Sequence, residues 1–401
     1  MVTLADIEEA EHTIHDSIIR TPLVYSPMLS ARTGARIYLK LEALQRAGSF
    51  KVRGATNKIL AHIDEVKAQG VVAASAGNHA QGVAVAAHSA GVQATIVMPE
   101  WAHVSKQEAT RAYGAHVILY GQTLEDSIAR AQELARDGRL FIHPYDDEEV
   151  IAGQGTVALE ILSDLPETDI IVVPVGGGGL IAGIATAAKA KKPDIVIIGI
   201  QAHACPSAVE ALHEGGSRRI AAKKTIADGI RVAETGVLTY PIIRDLVDCI
   251  AVVSEEEIAD AMLLLLERKH VIAEGAGAVP LAALMNGSFD FTPGSTIVLV
   301  ISGGNVDSSL LFRIIRQSMV QQGRILRFFV LLDDQPGTLA RLLSVIGKNG
   351  GNILHIDHEE GAQGVPLQMM RVDIELETRG RDHLTLIRKA LDAAGYQIGD
   401  R

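Results

Sequence analysis

Ile170-Ile171-Val172-Val173-Pro174-Val175-Gly176-Gly177-Gly178-Gly179-Leu180 is the stretch that decides the fold. Its apolar run shows no alternation, which predicts a strand buried on both faces. The glycines that follow make a tight turn, and residues 180–190 continue as a small-residue helix. A strand, turn and helix of this kind belong to a parallel sheet covered by helices. The pattern recurs on both sides. Upstream, Gly70-Val71-Val72-Ala73-Ala74 runs into Ser75-Ala76-Gly77-Asn78-His79-Ala80-Gln81-Gly82 and a helix reaching residue 90. Strands are expected at 95–99 and 115–120, and helices at 104–113, 123–136 and 148–162. Downstream come a strand at 195–200 and a helical region at 255–286. Thr296-Ile297-Val298-Leu299-Val300-Ile301 then runs into Ser302-Gly303-Gly304-Asn305. A helix at 4–19, with Thr3 as N-cap and Asp6 three residues on, opens the chain. The class is α/β, with twisted parallel sheets in two lobes. The small lobe takes about residues 42–150 and the large lobe about 1–41 and 151–320.

The composition changes near Gln321-Gln322-Gly323. Beyond it, strands are expected at 325–332, 352–358 and 365–376, helices at 337–348 and 384–393, and a short last strand at Tyr396-Gln397-Ile398. That order is ferredoxin-like, an α+β domain at 325–401. There is no internal repeat and no low-complexity segment.

Bulk properties exclude several classes. The chain has 401 residues, 48% of them hydrophobic, enough for a large core and a prior for two or three domains. No segment reaches membrane-span length without polar interruption. A net charge of −11 and the lack of a dense Lys/Arg stripe argue against nucleic acid. Cys205 and Cys249 are too few for a metal cage or a disulfide framework, and residues 1–16 are acidic and amphipathic, unlike a secretory signal. A cytoplasmic location is the expectation.

Candidate chemistry gathers at turns. Gly48-Ser49-Phe50-Lys51-Val52-Arg53-Gly54 places Lys51 where a loop enters a helix, after the strand-like Ile37-Tyr38-Leu39-Lys40-Leu41-Glu42. Burial and a helix N-terminus both favour a neutral amine, and a Schiff base requires one. The turns at 75–82, 176–180 and 302–305 follow strands of a parallel sheet, where ligands bind. Gly176, Gly177, Gly178 and Gly179, with Leu180 opening the helix, suit a phosphate. A dinucleotide reading needs a carboxylate at the end of the next strand, but Gly199-Ile200-Gln201 stands there. No Gly-Lys-Ser/Thr closes the loop as a nucleotide P-loop would. A hydrolase nucleophile at Ser75 lacks its first glycine. Ser75, Gly77, Asn78 and His79 at a helix start suit a carboxylate better, although His79 reads more readily as a structural histidine. Ser302 is either an N-cap or a hydrogen-bond donor to a ring nitrogen.

Taken together, Ser49-Phe50-Lys51-Val52-Arg53-Gly54-Ala55, the 75–82 stretch, the glycine loop with Leu180 and Ser302-Gly303-Gly304-Asn305 resemble the threonine dehydratase (threonine ammonia-lyase) and serine racemase family. These are fold-type-II pyridoxal-phosphate enzymes. The resemblance covers about residues 1–320, and Asp228-Gly229-Ile230-Arg231 and Ala273-Glu274-Gly275-Ala276-Gly277 fit it. Asp334-Gln335-Pro336-Gly337-Thr338-Leu339 and Gly351-Asn352-Ile353 resemble an ACT regulatory domain.

The resemblance implies roles. Lys51 carries pyridoxal 5'-phosphate and later moves the α-proton. Phe50 packs beside the ring, Asn78 contacts its hydroxyl, and Ser302 faces its nitrogen. Gly176, Gly177, Gly178, Gly179 and Leu180 hold the phosphate. Ser75, Ala76, Gly77, Asn78 and His79 take the substrate carboxylate. A neutral serine partner leaves the pyridine nitrogen unprotonated, which favours prompt loss of a β-leaving group. The β-hydroxyl needs a proton to leave, and the cofactor phosphate is a candidate donor. The implied reaction is dehydration and deamination of L-threonine to 2-oxobutanoate and ammonia, with activity on L-serine and control by isoleucine and valine. The alternatives are a serine or 3-hydroxyaspartate dehydratase, or a non-catalytic amino-acid sensor. Serine racemases carry a serine at the place of Ala76, so little racemisation is expected. The family's cation site is poorly matched, since Gln201-Ala202-His203-Ala204-Cys205-Pro206-Ser207 lacks its carboxylates, and no metal is expected there. A homodimer or homotetramer is implied, and the C-terminal domain either binds an amino-acid effector or holds subunits together.

Overall fold

The computed structural model describes residues 1–359 and 365–400. The stretch Ile170–Pro174 is a fully buried strand in the middle of a six-stranded sheet. Along that sheet run Leu23–Tyr25, Arg36–Leu41, Thr296–Ile301, Ile170–Pro174, Val196–Ala202 and Cys249–Val253. Leu23–Tyr25 pairs antiparallel with its neighbour and the other pairings are parallel. A second, all-parallel sheet runs His116–Leu119, Ala94–Met98, Val71–Ala74 and Leu140–Phe141. The α/β reading therefore stands, with one sheet drawn from 71–141 and the other from the flanking sequence. Both sheets belong to one unit, Met1–Val306.

One helix ties this unit together. Glu148–Asp164 is buried along most of its length, from Val150 to Ile161. It passes close to two others at glycines. A Cβ on Gly153 would lie 2.7 Å from the Gly54 Cα, and one on Gly183 would lie 2.4 Å from the Ile151 carbonyl oxygen. Backbones therefore touch where the helix meets Lys51–Ala61 on one side and Gly179–Lys191 on the other. Substituting alanine at either glycine forces the helices apart, because backbone cannot move aside as a side-chain tip can.

Several sequence expectations are revised. The 255–286 region is not one helix. Glu255–Leu264 passes into a π-helical turn at Leu265–Lys269, and His270 adopts a left-handed φ of 55° before a new helix starts at Gly275–Asn286. The first helix is Leu4–Ile14, shorter than the expected span to 19, with its Thr3/Asp6 capping box formed. The strands Leu140–Phe141 and Cys249–Val253 are additions to the sequence reading.

The second unit is Asp307–Arg401, of which 360–364 and 401 lie outside the described residues. It includes the helix Ser308–Gln321, so the boundary falls before the composition change near Gln321. Ile325–Asp333, Thr338–Lys348, Asn352–Glu359, Met369–Glu377, Arg381–Ala393 and Ile398–Asp400 follow in the expected order. The third strand begins at Met369, not Val365. Its sheet is antiparallel, with spatial order second, third, first, fourth. Phe328, Leu342, Ile346, Val372, Ile387 and Leu391 form its core.

Candidate active site

Lys51 is the first residue of the helix Lys51–Ala61, whose N-cap Phe50 offers no side-chain acceptor. The preceding turn is stitched to the turn after Thr296–Ile301. Phe50 N–H donates to the Ser302 carbonyl at 3.1 Å, Gly304 N–H donates to the Gly48 carbonyl at 2.9 Å, and Ser49 bridges to Gly303. Lys51 and Ser302 are thereby fixed as neighbours, although 251 residues apart in sequence. The Lys51 backbone packs against Gly82, where an added Cβ would sit 3.0 Å from the Lys51 Cβ. The Lys51 ammonium donates to the Pro144 carbonyl at 2.6 Å and lies 5.1 Å from the centroid of the Phe50 ring. Burial pushes this amine down to about 8, with Glu274 pulling the other way.

The glycine loop is built against residues 144–146. A Cβ on Gly177 would strike the Tyr145 ring at 2.4 Å, and one on Gly179 would lie 2.8 Å from the Tyr145 carbonyl. Gly178 has φ +100°, the left-handed conformation that glycine adopts without strain. The loop is also held from the far side, where Thr239 Oγ1 donates to the Gly177 carbonyl at 2.7 Å. Asp146 caps that region by accepting from the amides of Val237 at 2.9 Å and Leu238 at 2.8 Å. Among the described residues, no carbonyl accepts from the amides of Gly176, Gly177 or Gly178. Gly179 and Leu180 open the helix, so their amides have no intrahelical partner either. The Leu180 side chain is buried in the core.

The 75–79 turn ends at the helix Asn78–Ser89. Ser75 Oγ accepts from the Gly77 amide at 3.1 Å. Ala76 lies beside it and is partly buried. The Asn78 side chain is held at both ends. Its Nδ2 donates to Glu274 Oε1 at 2.6 Å, and its Oδ1 accepts from Asn305 Nδ2 at 2.9 Å. His79 is turned away from the turn, with Nε2 bonded to the Ile142 carbonyl at 2.9 Å. Burial, then Lys51, pushes its imidazole down to about 3, so the ring is neutral.

Three groups at the site escape sequence reasoning as participants. Glu274 caps no helix by its side chain but sits against Gly303, where a Cβ would meet its Oε1 at 2.3 Å. Burial raises its carboxyl to about 7, with Asp228 adding to the rise. Its signal is present in Ala273-Glu274-Gly275-Ala276-Gly277, but the role depends on a contact 196 residues away. Tyr145 and His143 lie in a stretch with no glycine signature. Gln201, which stands in place of a ribose-binding carboxylate, serves the fold. Its Oε1 accepts from the Ala208 amide at 2.9 Å and its Nε2 donates to the Val175 carbonyl at 3.2 Å.

A buried charge cluster anchors the lysine-bearing helix. Arg53 donates to Glu42 through Nε and Nη2, both at 2.8 Å, and to Glu160 through Nη1 at 2.7 Å and Nη2 at 2.9 Å. Lys40 Nζ donates to Glu160 at 2.5 Å and to the Thr21 carbonyl at 2.7 Å. Two cations face two carboxylates. Glu160 ties the strand Arg36–Leu41 and the helix Lys51–Ala61 to the helix Glu148–Asp164, and Glu42 holds Arg53 from the end of that strand.

Comparison with known proteins agrees with this geometry. The family model described as "Pyridoxal-phosphate dependent enzyme" matches residues 14–303. An L-threonine ammonia-lyase from Thermotoga maritima is 46% identical over 399 residues, covering 99% of each chain. Among solved structures, the processed form of threonine deaminase isoform 2 from Solanum lycopersicum superposes with a TM-score of 0.74 at 37% identity, covering 79% of this chain and 87% of that one. Maize serine racemase superposes with a TM-score of 0.75 at 37% identity, covering 80% and 99%. The chain belongs to the pyridoxal-phosphate dependent enzyme family, with L-threonine ammonia-lyases among its full-length relatives.

Proposed function

We propose that this protein is a pyridoxal-phosphate-dependent L-threonine ammonia-lyase, converting L-threonine to 2-oxobutanoate and ammonia and accepting L-serine as a second substrate. The observation that carries the reading is the placement of Lys51. Its depressed amine starts a helix and is joined through residues 144–145 to an unsatisfied glycine loop. The chain around it aligns end to end with an L-threonine ammonia-lyase.

The residues fit the cofactor. The amides of Gly176, Gly177 and Gly178 lack acceptors among the described residues, and with Gly179 and Leu180 they form a phosphate cradle. An amine lowered to about 8 is neutral often enough to react with an aldehyde. When bound, pyridoxal phosphate supplies the electron sink that makes the substrate α-carbon acidic.

This chain's residues do the rest. Lys51 would take the substrate α-proton, and burial makes it a competent base near neutral pH. Ser302 would hold the ring nitrogen with a neutral hydroxyl, which would leave that nitrogen unprotonated. Phe50 would pack beside the ring. The amides of the Ser75-Ala76-Gly77-Asn78-His79 turn hold the substrate carboxylate at a helix start. Asn78, held by Glu274 and Asn305, would contact the ring hydroxyl. After the β-hydroxyl leaves, the released enamine hydrolyses to the 2-oxo acid and ammonia. Ala76 has no proton to exchange, so the opposite face of the α-carbon goes unserved. Chiral chromatography of unreacted L-serine is expected to show little D-serine, and its substantial accumulation overturns the role given to Ala76. A panel of L-threonine, L-serine and 3-hydroxyaspartate ranks the substrates. A cofactor absorbance band with no product from any of the three favours a non-catalytic amino-acid sensor.

The C-terminal unit is proposed to be an ACT-type regulatory domain. The turn Asp334-Gln335-Pro336-Gly337 leads into the helix Thr338–Lys348 with Gly337 at φ +88°, and its strand and helix order suits that reading. Isoleucine is expected to inhibit and valine to oppose it, which requires different affinities for two states. Rates that stay flat across both titrations favour a unit that only holds subunits together in a homodimer or homotetramer. A cytoplasmic location completes the reading.

A further inference from the structure

His143 is absent from the roles assigned so far, and its surroundings are specific. It directly precedes Pro144, whose carbonyl receives the Lys51 ammonium, and Tyr145, whose ring covers Gly177. Its own ring meets that of Tyr145 edge-on with centroids 4.8 Å apart. Its Nδ1 accepts two main-chain amides, from Asp146 at 2.7 Å and Tyr145 at 3.3 Å. A nitrogen that accepts two amides carries no proton, so the proton of the neutral ring is on Nε2. No acceptor for Nε2–H is present among the described residues, and His143 is partly exposed. The fold thus commits two backbone amides to fixing a tautomer whose donor is left open near Lys51.

We propose that His143 is a specificity residue that donates a hydrogen bond from Nε2 to the β-hydroxyl of the amino-acid substrate. The proposal deepens the lyase reading and rests on it. A β-hydroxyl is the group that distinguishes threonine and serine from other amino acids and the group that must leave. A neutral donor recognises it without carrying a positive charge into a site that already holds Lys51. Burial, opposed by Asp146 and reinforced by Lys51, holds the imidazole down to about 4, so the donor stays neutral through the working pH range. The imidazole keeps its proton throughout. The hydrogen bond orients the Cβ–O bond and stabilises charge growing on the oxygen, and no bond to His143 is made or broken.

His143→Asn separates this role from a structural one. Asparagine Oδ1 reaches the place of Nδ1 and can still accept the Tyr145 and Asp146 amides, as asparagine does in turns. It leaves nothing at the position of Nε2. The measurement is kcat/KM of the holoenzyme for L-threonine and L-serine beside β-chloro-L-alanine, whose chloride leaves without a hydrogen bond from a hydroxyl partner. The proposal expects a loss of roughly 10- to 100-fold on both hydroxy substrates. It expects elimination from β-chloro-L-alanine to stay within about twofold, with an unchanged cofactor absorbance band. His143→Gln, which places an amide near Nε2, is expected to recover part of the loss. Equal losses on all three substrates make His143 a structural cap and overturn the proposal, as does undiminished turnover of the hydroxy substrates. If the native holoenzyme turns over β-chloro-L-alanine but neither hydroxy amino acid, the lyase reading fails first and takes this proposal with it.

Discussion

Lys51 and Arg53 stand two positions apart on one helix, and the fold treats their charges in opposite ways. Arg53 is fully buried and every nitrogen of its guanidinium is met by Glu42, Glu160 or Thr156. Those carboxylates raise its affinity for the proton despite burial. Lys51 is given one neutral carbonyl, and burial drives its amine down to about 8. Complete compensation makes a strut; withheld compensation makes a reactive group. The strut is also what allows the reactive group, because Lys40, Glu42, Arg53 and Glu160 lock the helix that carries Lys51 against Glu148–Asp164.

The largest effect that tests this contrast comes from the strut. Arg53→Met leaves Glu42 and Glu160 without their main partner, and is expected to destabilise the protein by about 3–5 kcal/mol. Urea denaturation measures it, and a loss below about 1 kcal/mol contradicts the assignment. Lys51→Met is expected to act with the opposite sign in cofactor-free protein. The folded value of about 8 lies below the ordinary 10.5, so between those pH values the unfolded chain binds a proton that the folded chain does not. The penalty is complete below pH 8 and fades as pH rises to 10.5. The variant is therefore more stable than the native apoprotein by roughly 1–3 kcal/mol at neutral pH, with the difference closing in alkali. Urea midpoints at pH 7 and pH 10 read the difference, and a variant less stable than the native apoprotein at pH 7 contradicts it.

Glu274 sharpens the same comparison with an acid. Its carboxyl is raised from 4.5 to about 7, so the folded chain holds an extra proton in that window and native stability falls as pH rises through it. Glu274→Gln removes the dependence. Melting curves at several pH values are expected to show the variant gaining on the native protein from pH 4.5 to 7, and parallel curves contradict the assignment. The smallest effect belongs to a surface pair. Lys106 and Asp228 lie 3.0 Å apart with Asp228 well exposed, and Asp228→Asn is expected to cost less than about 1 kcal/mol, read by the same denaturation.

The parts of the molecule that are legible in the sequence are those set by local chemistry. The strand Ile170–Pro174, the glycine loop and the lysine at a helix start all show in consecutive residues. The strands Ile325–Asp333 and Thr296–Ile301 are equally plain, since buried strands are short apolar runs. The break before Gly275 is hidden. Nothing in Arg268-Lys269-His270-Val271-Ile272 forbids a helix, and no glycine marks the C-cap that His270 makes in the left-handed conformation. Glu274 and Asn305 escape as partners because their contacts are long-range. Asn305 meets Asn78 across 227 residues and Glu274 meets it across 196. No local pattern encodes such contacts. The site's frame is local in sequence, and its tuning is not.

The central claim is that Lys51 carries the chemistry on L-threonine. The most direct measurement is 2-oxobutanoate formed from L-threonine by cofactor-loaded protein, with Lys51→Ala assayed beside it at equal folded concentration. The account predicts product from the native protein and none above background from the variant. Equal turnover by both, or none by the native protein while its cofactor band is present, contradicts it.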